Sequence, residues 1–184
     1  MDIDKIVAES KASQNKIELN KLLQYVSEIQ VDVVLEIGVH KGYSLQVWHD
    51  AFQPELLIGI DNDLHEFDHE HVTKELILLD SDSHQMETKE QVCLHLGKKQ
   101  IDFMFLDGDH TYEGVKRDYE LYSPLVRKGG IIALHDIALD GPTWRTAGVD
   151  VQRFWNELIG SSGKKYLFFW DEIGKGTGTG LYYI

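Results

Sequence analysis

The spacing of apolar positions changes repeatedly along the chain. From Ile17 to Ile29, apolar residues at 17, 19, 22, 23, 26 and 29 recur at helical spacing. Val31 to Ile37 is then a short run rich in branched residues, the pattern of a buried strand, and it runs into Gly38-Val39-His40-Lys41-Gly42. Leu45, Val47, Trp48, Ala51 and Phe52 mark a helix closed by Pro54. The same unit returns: strands at 56–60, 75–79, 101–106 and 131–134, with helices predicted over 84–96, 111–127 and 149–160. Residues 166–170 and 180–184 read as two last strands around a glycine-rich turn, an antiparallel hairpin. Residues 1–16 are polar and read as a loosely ordered lead-in. Strands alternating with helices predict one α/β domain over 1–184. Its expected form is a Rossmann-like, seven-stranded, mostly parallel sheet covered on both faces, ending in the antiparallel hairpin.

Polar residues gather where these strands end, the edge at which such sheets bind ligands. Four of the first five strands end in aspartate: Asp61, Asp80, Asp107 and, one residue past His135, Asp136. Aspartate is a poor strand residue, so the repetition points to ligand contacts; helix capping is the structural alternative. Glu36 stands two residues before Gly38, and Gly42 four after it. Glycines there let the backbone turn sharply and approach a ligand. The spacing differs from the G-x-G-x-x-G of dinucleotide enzymes, which disfavours a nicotinamide oxidoreductase. Asp61, 23 residues after Gly38, suits ribose hydroxyls.

Composition narrows the function further. The 184 residues carry a formal net charge of −13, which argues against nucleic-acid or membrane-surface partners. One cysteine, Cys93, excludes an intramolecular disulfide and a cysteine-rich zinc site; it reads as core. With no apolar run of membrane-spanning length and no signal core, the expected location is the cytoplasm.

The stretch Val34-Leu35-Glu36-Ile37-Gly38-Val39-His40-Lys41-Gly42-Tyr43-Ser44 resembles the first motif of class I S-adenosylmethionine-dependent methyltransferases, in the form used by catechol-type O-methyltransferases. Leu106-Asp107-Gly108-Asp109-His110, with Gly129-Gly130 and His135-Asp136, is similar to a bacterial subgroup that includes macrocin-type and cephalosporin-hydroxylase-like enzymes. The resemblance implies O-methylation of a small or sugar-like hydroxyl, with S-adenosylmethionine as cofactor. It implies that Gly38 and Gly42 line the methionine part, Glu36 lies near its amino group, and Tyr43 and Ser44 flank that end. Asp61 would bind the ribose, Ser81 and Asp82 approach the adenine, and Asp107 sit beside the sulfonium.

If the fourth and fifth strands are neighbours, Asp107 and Asp136 project from adjacent tips and could share a Mg2+ or Mn2+ ion, with His135 as a third ligand. Metal-dependent relatives place acids at the same strand ends. His110, three residues after Asp107, is a candidate general base where catechol-type relatives carry a lysine; bracing the turn is its other reading. His65, His69 and His71 read as a solvated polar face. Trp144 and Arg145 are candidate substrate contacts. Acceptor choice is left to residues 1–16, the 137–148 loop or another subunit, so a homo-oligomer is one expected form. A protein that binds S-adenosylmethionine without turnover is the remaining alternative.

Overall fold

The computed structural model describes residues 2–69, 73–138, 148–171 and 176–184. Strand β1 (Val33–Ile37) is buried along its whole length, as its unbroken apolar run requires. It lies between β2 (Leu56–Asp61) and β4 (Ile101–Leu106), parallel to both. β3 (Leu76–Asp80) adds outside β2, and β5 (Val126–His135) outside β4, again in parallel. The C-terminal strand β7 (Thr179–Tyr183) pairs antiparallel with β5, and β6 (Tyr166–Phe169) pairs antiparallel with β7 at the sheet edge. The order β3-β2-β1-β4-β5-β7-β6 is that of a Rossmann-like sheet whose last two strands form the expected antiparallel pair. It also makes β4 and β5 neighbours, so Asp107 and Asp136 do leave adjacent tips.

Helices cover both faces. On one lie α1 (Ile3–Glu9), α2 (Lys16–Val26) and α3 (Tyr43–Phe52), packing Leu19, Leu22, Leu23, Val26 and Trp48 against Val34, Phe103 and Phe105. On the other lie α4 (Met86–Leu96), α5 (Tyr112–Tyr122) and α6 (Val151–Ser162), packing Val92, Leu96, Val115, Phe154 and Trp155 against Leu35, Met104 and Ile132. Trp48 and Trp155 are core residues, as their spacing suggested.

The structure differs from the sequence reading in three places. The polar lead-in is folded: α1 forms with Asp2 as its N-cap, accepting from the Lys5 amide, and Val7 and Ala12 are buried. Helix α5 stops at Tyr122 rather than 127, because Pro124 opens a 3-10 turn over Ser123–Leu125; β5 then begins at Val126, five residues early. Cys93 is exposed, because α4 turns Thr88, Val92 and Leu96 inward at i, i+4 and i+8, leaving position 93 outside. Trp144, Arg145 and His71 lie outside the described residues.

Candidate active site

A cleft of about 960 Å³ opens at the carboxyl ends of β1, β2, β3, β4 and β5, a volume suited to a nucleoside-sized ligand. Gly38, Val39, His40, Tyr43, Ser44, Asp61, Ser81, Asp82, Asp107, His110, His135 and Asp136 all line it. The strand-end aspartates therefore face one cavity, except Asp80, which is exposed and off the wall. None of the four caps a described helix; Gly42, Gln85, Thr111 and Asp150 hold those positions.

The glycine loop is built for close backbone packing. Gly38 has φ +90°, and a Cβ there would lie 2.1 Å from the Asp107 carbonyl oxygen. The constraint is thus the neighbouring strand end rather than the cavity. Gly42, at φ +80°, is the N-cap of α3, and a Cβ on it would meet the Phe67 ring at 2.4 Å. It faces that buried ring and is not on the cleft wall. Phe67 anchors the polar 62–69 stretch, whose His65 and Glu66 are exposed and paired with Asp63 and Lys41. Asp61 Oδ2 accepts from the amides of Val39 (2.8 Å) and His40 (2.7 Å), and Oδ1 from that of Asp63. The acid expected on the ribose therefore also ties β2 to the glycine loop.

Glu36 lies elsewhere than expected. It is fully buried and off the cleft, accepting from Ser44 Oγ and from Trp48 Nε1 at 2.8 Å. Burial pushes its carboxyl up to about 8, only partly offset by those two donors. It positions Ser44, which does reach the wall, and meets a ligand only through it.

The strongest electrostatics are at the ends of β4 and β5. His135 Nδ1 lies 2.9 Å from Asp107 Oδ1 and 3.1 Å from Asp136 Oδ1, while its Nε2 lies 3.1 Å from Thr177 Oγ1. His110 Nε2 lies 3.1 Å from Asp107 Oδ1 and 3.4 Å from Asp136 Oδ2. Burial opposes charge here, yet the two histidines hold the Asp107 carboxyl well below the usual range. Its hydrogen bond raises His110, and against burial the field of Asp107 and Asp136 lifts His135 to about 9. Asp136 sits at φ +62°, a left-handed backbone that costs energy for any residue with a Cβ and recurs at functional sites.

Asp107, His110 and Asp136 each offer one ligand atom, all within 4.8 Å of one another. Two carboxylates and an imidazole form a donor set that fits a divalent cation. The third donor is His110 rather than the expected His135, whose two ring nitrogens already face Asp107 and Asp136 on one side and Thr177 on the other. Ser81 Oγ is buried and, among the described residues, has no partner, a condition a ligand in the cleft would relieve.

The sequence gave no signal for several members of the wall. Gln14, from the lead-in, is buried and donates from Nε2 to Asp107 Oδ2 at 2.8 Å. Lys11, Ala12, Ser13, Asn62, Ser83 and His84 also line the cleft. Thr177 reaches His135 from the loop before β7. No local pattern distinguishes any of them; tertiary contacts do.

A Rossmann-like sheet with this strand order and a ligand cleft at its carboxyl edge defines a class of nucleoside-cofactor transferases. Residues 35–137, more than half of the chain, match the family model described as methyltransferase domain, and the chain belongs to that family. Among solved structures, a Staphylococcus aureus protein described as a caffeoyl-CoA O-methyltransferase superposes with TM-score 0.75 at 18% identity, covering 100% of this chain and 92% of that one. The O-methyltransferase TomG from Streptomyces achromogenes, in complex with S-adenosylmethionine, gives TM-score 0.67 at 21% identity over 89% and 78% of the two chains. MycE of the mycinamycin pathway, bound to Mg, S-adenosylhomocysteine and mycinamycin VI, gives 0.68 at 17% identity, and this chain spans 54% of it. At these identities the likeness establishes the fold. The mimivirus protein R132 of Acanthamoeba polyphaga mimivirus is 50% identical over 36 residues, 20% of this chain and 16% of that protein. Among the described residues no helix is long and apolar enough to cross a membrane.

Proposed function

We propose that the protein is an S-adenosylmethionine-dependent O-methyltransferase that acts on a small or sugar-like hydroxyl acceptor. The observation that carries this reading is the shared cleft, with a nucleoside-type wall at one end and a carboxylate–imidazole cluster at the other. Asp61, Ser81 and Asp82 would hold the nucleoside, and Tyr43, Ser44 and Asp107 the methionine end. S-adenosylmethionine supplies an electrophilic methyl group. The chain must orient a hydroxyl against it, exclude water and dispose of a proton. Asp107, His110 and Asp136 would hold a divalent cation, Mg2+ or Mn2+, whose charge makes an acceptor hydroxyl more acidic. The same His110 Nε2, hydrogen-bonded to Asp107, favours a second arrangement in which it takes the proton without a cation. One nitrogen cannot do both at once, so exhaustive chelation separates the two: lost turnover supports the cation, retained turnover supports His110 as base.

Titration calorimetry tests the cofactor. S-adenosylhomocysteine should bind and raise the melting temperature, while NAD should do neither. Binding of NAD in place of S-adenosylhomocysteine would refute the reading in favour of the oxidoreductase alternative. Cofactor binding with no turnover over a broad screen of hydroxyl acceptors would favour a binding protein.

A further inference from the structure

Gln14 is 7% exposed, yet it comes from a polar segment with no predicted structure. It stands on the cleft wall beside Ala12 and Ser13, and Lys11 of the same segment lies over the Tyr43 ring, 5.5 Å from its centre. Its side chain bridges 93 residues of sequence to Asp107, donating from Nε2 to Oδ2. That bond fixes the amide, since the reverse orientation would set two acceptors against each other. The carbonyl Oε1 is therefore the group left over. It is buried and, among the described residues, accepts no hydrogen bond. A buried acceptor without a donor is costly, and one in a ligand cleft calls for a donor on the ligand.

The sheet order identifies that donor. S-adenosylmethionine carries hydrogen-bond donors on the adenine, the ribose and the α-ammonium. Asp61 and Ser81 follow β2 and β3, and β1 separates β2 from β4. Two strand spacings, about 10 Å, thus divide the nucleoside wall from Asp107. The donor left for the β4 end is the α-ammonium, and Asp107 beside Gln14 favours a cation there.

We propose that Gln14 Oε1 accepts a hydrogen bond from the α-ammonium of the cofactor while its Nε2 holds Asp107 in place. The 11–14 segment then closes the amino-acid end of the site. This inference rests on the S-adenosylmethionine reading above.

The test is calorimetry with two probes. S-adenosylhomocysteine carries the α-ammonium; 5′-methylthioadenosine keeps the nucleoside and thioether but lacks the amino-acid group. Gln14→Leu and the isosteric Gln14→Met should each weaken S-adenosylhomocysteine by about tenfold to a hundredfold and leave 5′-methylthioadenosine within about twofold. Gln14→Glu keeps an acceptor but loses the donor to Asp107, and should bind S-adenosylhomocysteine at least as well as the wild type. Unchanged S-adenosylhomocysteine affinity in the Leu and Met variants would overturn the proposal. Equal losses for both probes would reduce Gln14 to a structural prop and overturn it too. A Glu variant as weak as Leu would show that the effect runs through Asp107 alone. Failure of the wild type to bind either probe would instead remove the cofactor reading itself, before any variant is made.

Discussion

Replacing Glu36 by glutamine should make the protein more stable at neutral pH, and increasingly so as the pH rises. The carboxyl is fully buried on β1, and burial lifts it from the ordinary 4.5 to about 8. Between those values the folded chain holds a proton that the unfolded chain has released. The associated stability is complete below pH 4.5 and is lost as the pH climbs through about 8. At roughly 1.4 kcal/mol per pH unit, the loss across that window is on the order of 4–5 kcal/mol. Glutamine has the shape of the neutral acid and can satisfy both Ser44 and Trp48, but it does not titrate. The difference between variant and wild type cancels the titration of every other group. Thermal melts from pH 5 to 8.5 should therefore show the melting-temperature gap widening in favour of Glu36→Gln by roughly 10 °C, at about 2–4 °C per kcal/mol for a chain of this size. A gap constant to within about 2 °C would refute the reasoning. S-adenosylhomocysteine affinity should change less than about threefold, because Glu36 does not reach the cleft; a loss like that of a lost charged contact would restore the direct contact with the cofactor amino group.

The case of Glu36 shows what the sequence discloses and where it stops. Element types follow from apolar period, because β1 is buried on both faces and α2 on one, and each kind of burial imposes its own spacing. The carboxyl-edge cluster was legible for the same reason: Asp61, Asp107 and Asp136 violate strand preference at the positions where parallel sheets bind ligands. Side-chain direction was not legible. Successive strand residues point to opposite faces, so Glu36, two positions before Gly38, turns under α3 instead of toward the cleft. The exchange of His135 for His110 as third ligand has a similar origin. It depends on Thr177, 42 residues further on, occupying the far nitrogen of His135. Gln14 is the extreme case, with its function set wholly by a partner 93 residues away. The boundary at Tyr122 was misread because the apolar stripe continues through Leu125, while Pro124 withdraws the amide that an α-helix would need.

Three further outcomes are expected. Asp61→Ala leaves the Val39 and His40 amides without their acceptor, so it should cost about 1–3 kcal/mol of stability and roughly tenfold or more in S-adenosylhomocysteine affinity. Asp61→Asn, which keeps an oxygen for those amides, should recover most of the stability in the same melts; equal damage from both would place the requirement in the charge rather than in the loop. Mn2+ titrated into the wild type and followed by electron paramagnetic resonance should bind, and His110→Ala or Asp136→Asn should weaken it by about tenfold or more; absence of binding to the wild type would remove the cation from the site. The last expectation concerns His135 in chelator-treated protein. Asp107 and Asp136 lift its imidazole from 6.5 to about 9 despite burial, so the folded state favours the imidazolium. The stability this supplies is complete below pH 6.5 and lost as the pH rises through about 9, a change on the order of 3 kcal/mol. His135→Gln should therefore be most destabilised relative to wild type near pH 6, with the gap shrinking toward pH 9.5. A ring-proton NMR titration of His135 with an ordinary midpoint near 6.5 would show that its contacts to the two carboxylates do not hold a proton, and the charge pattern assigned to the cluster would fail with it.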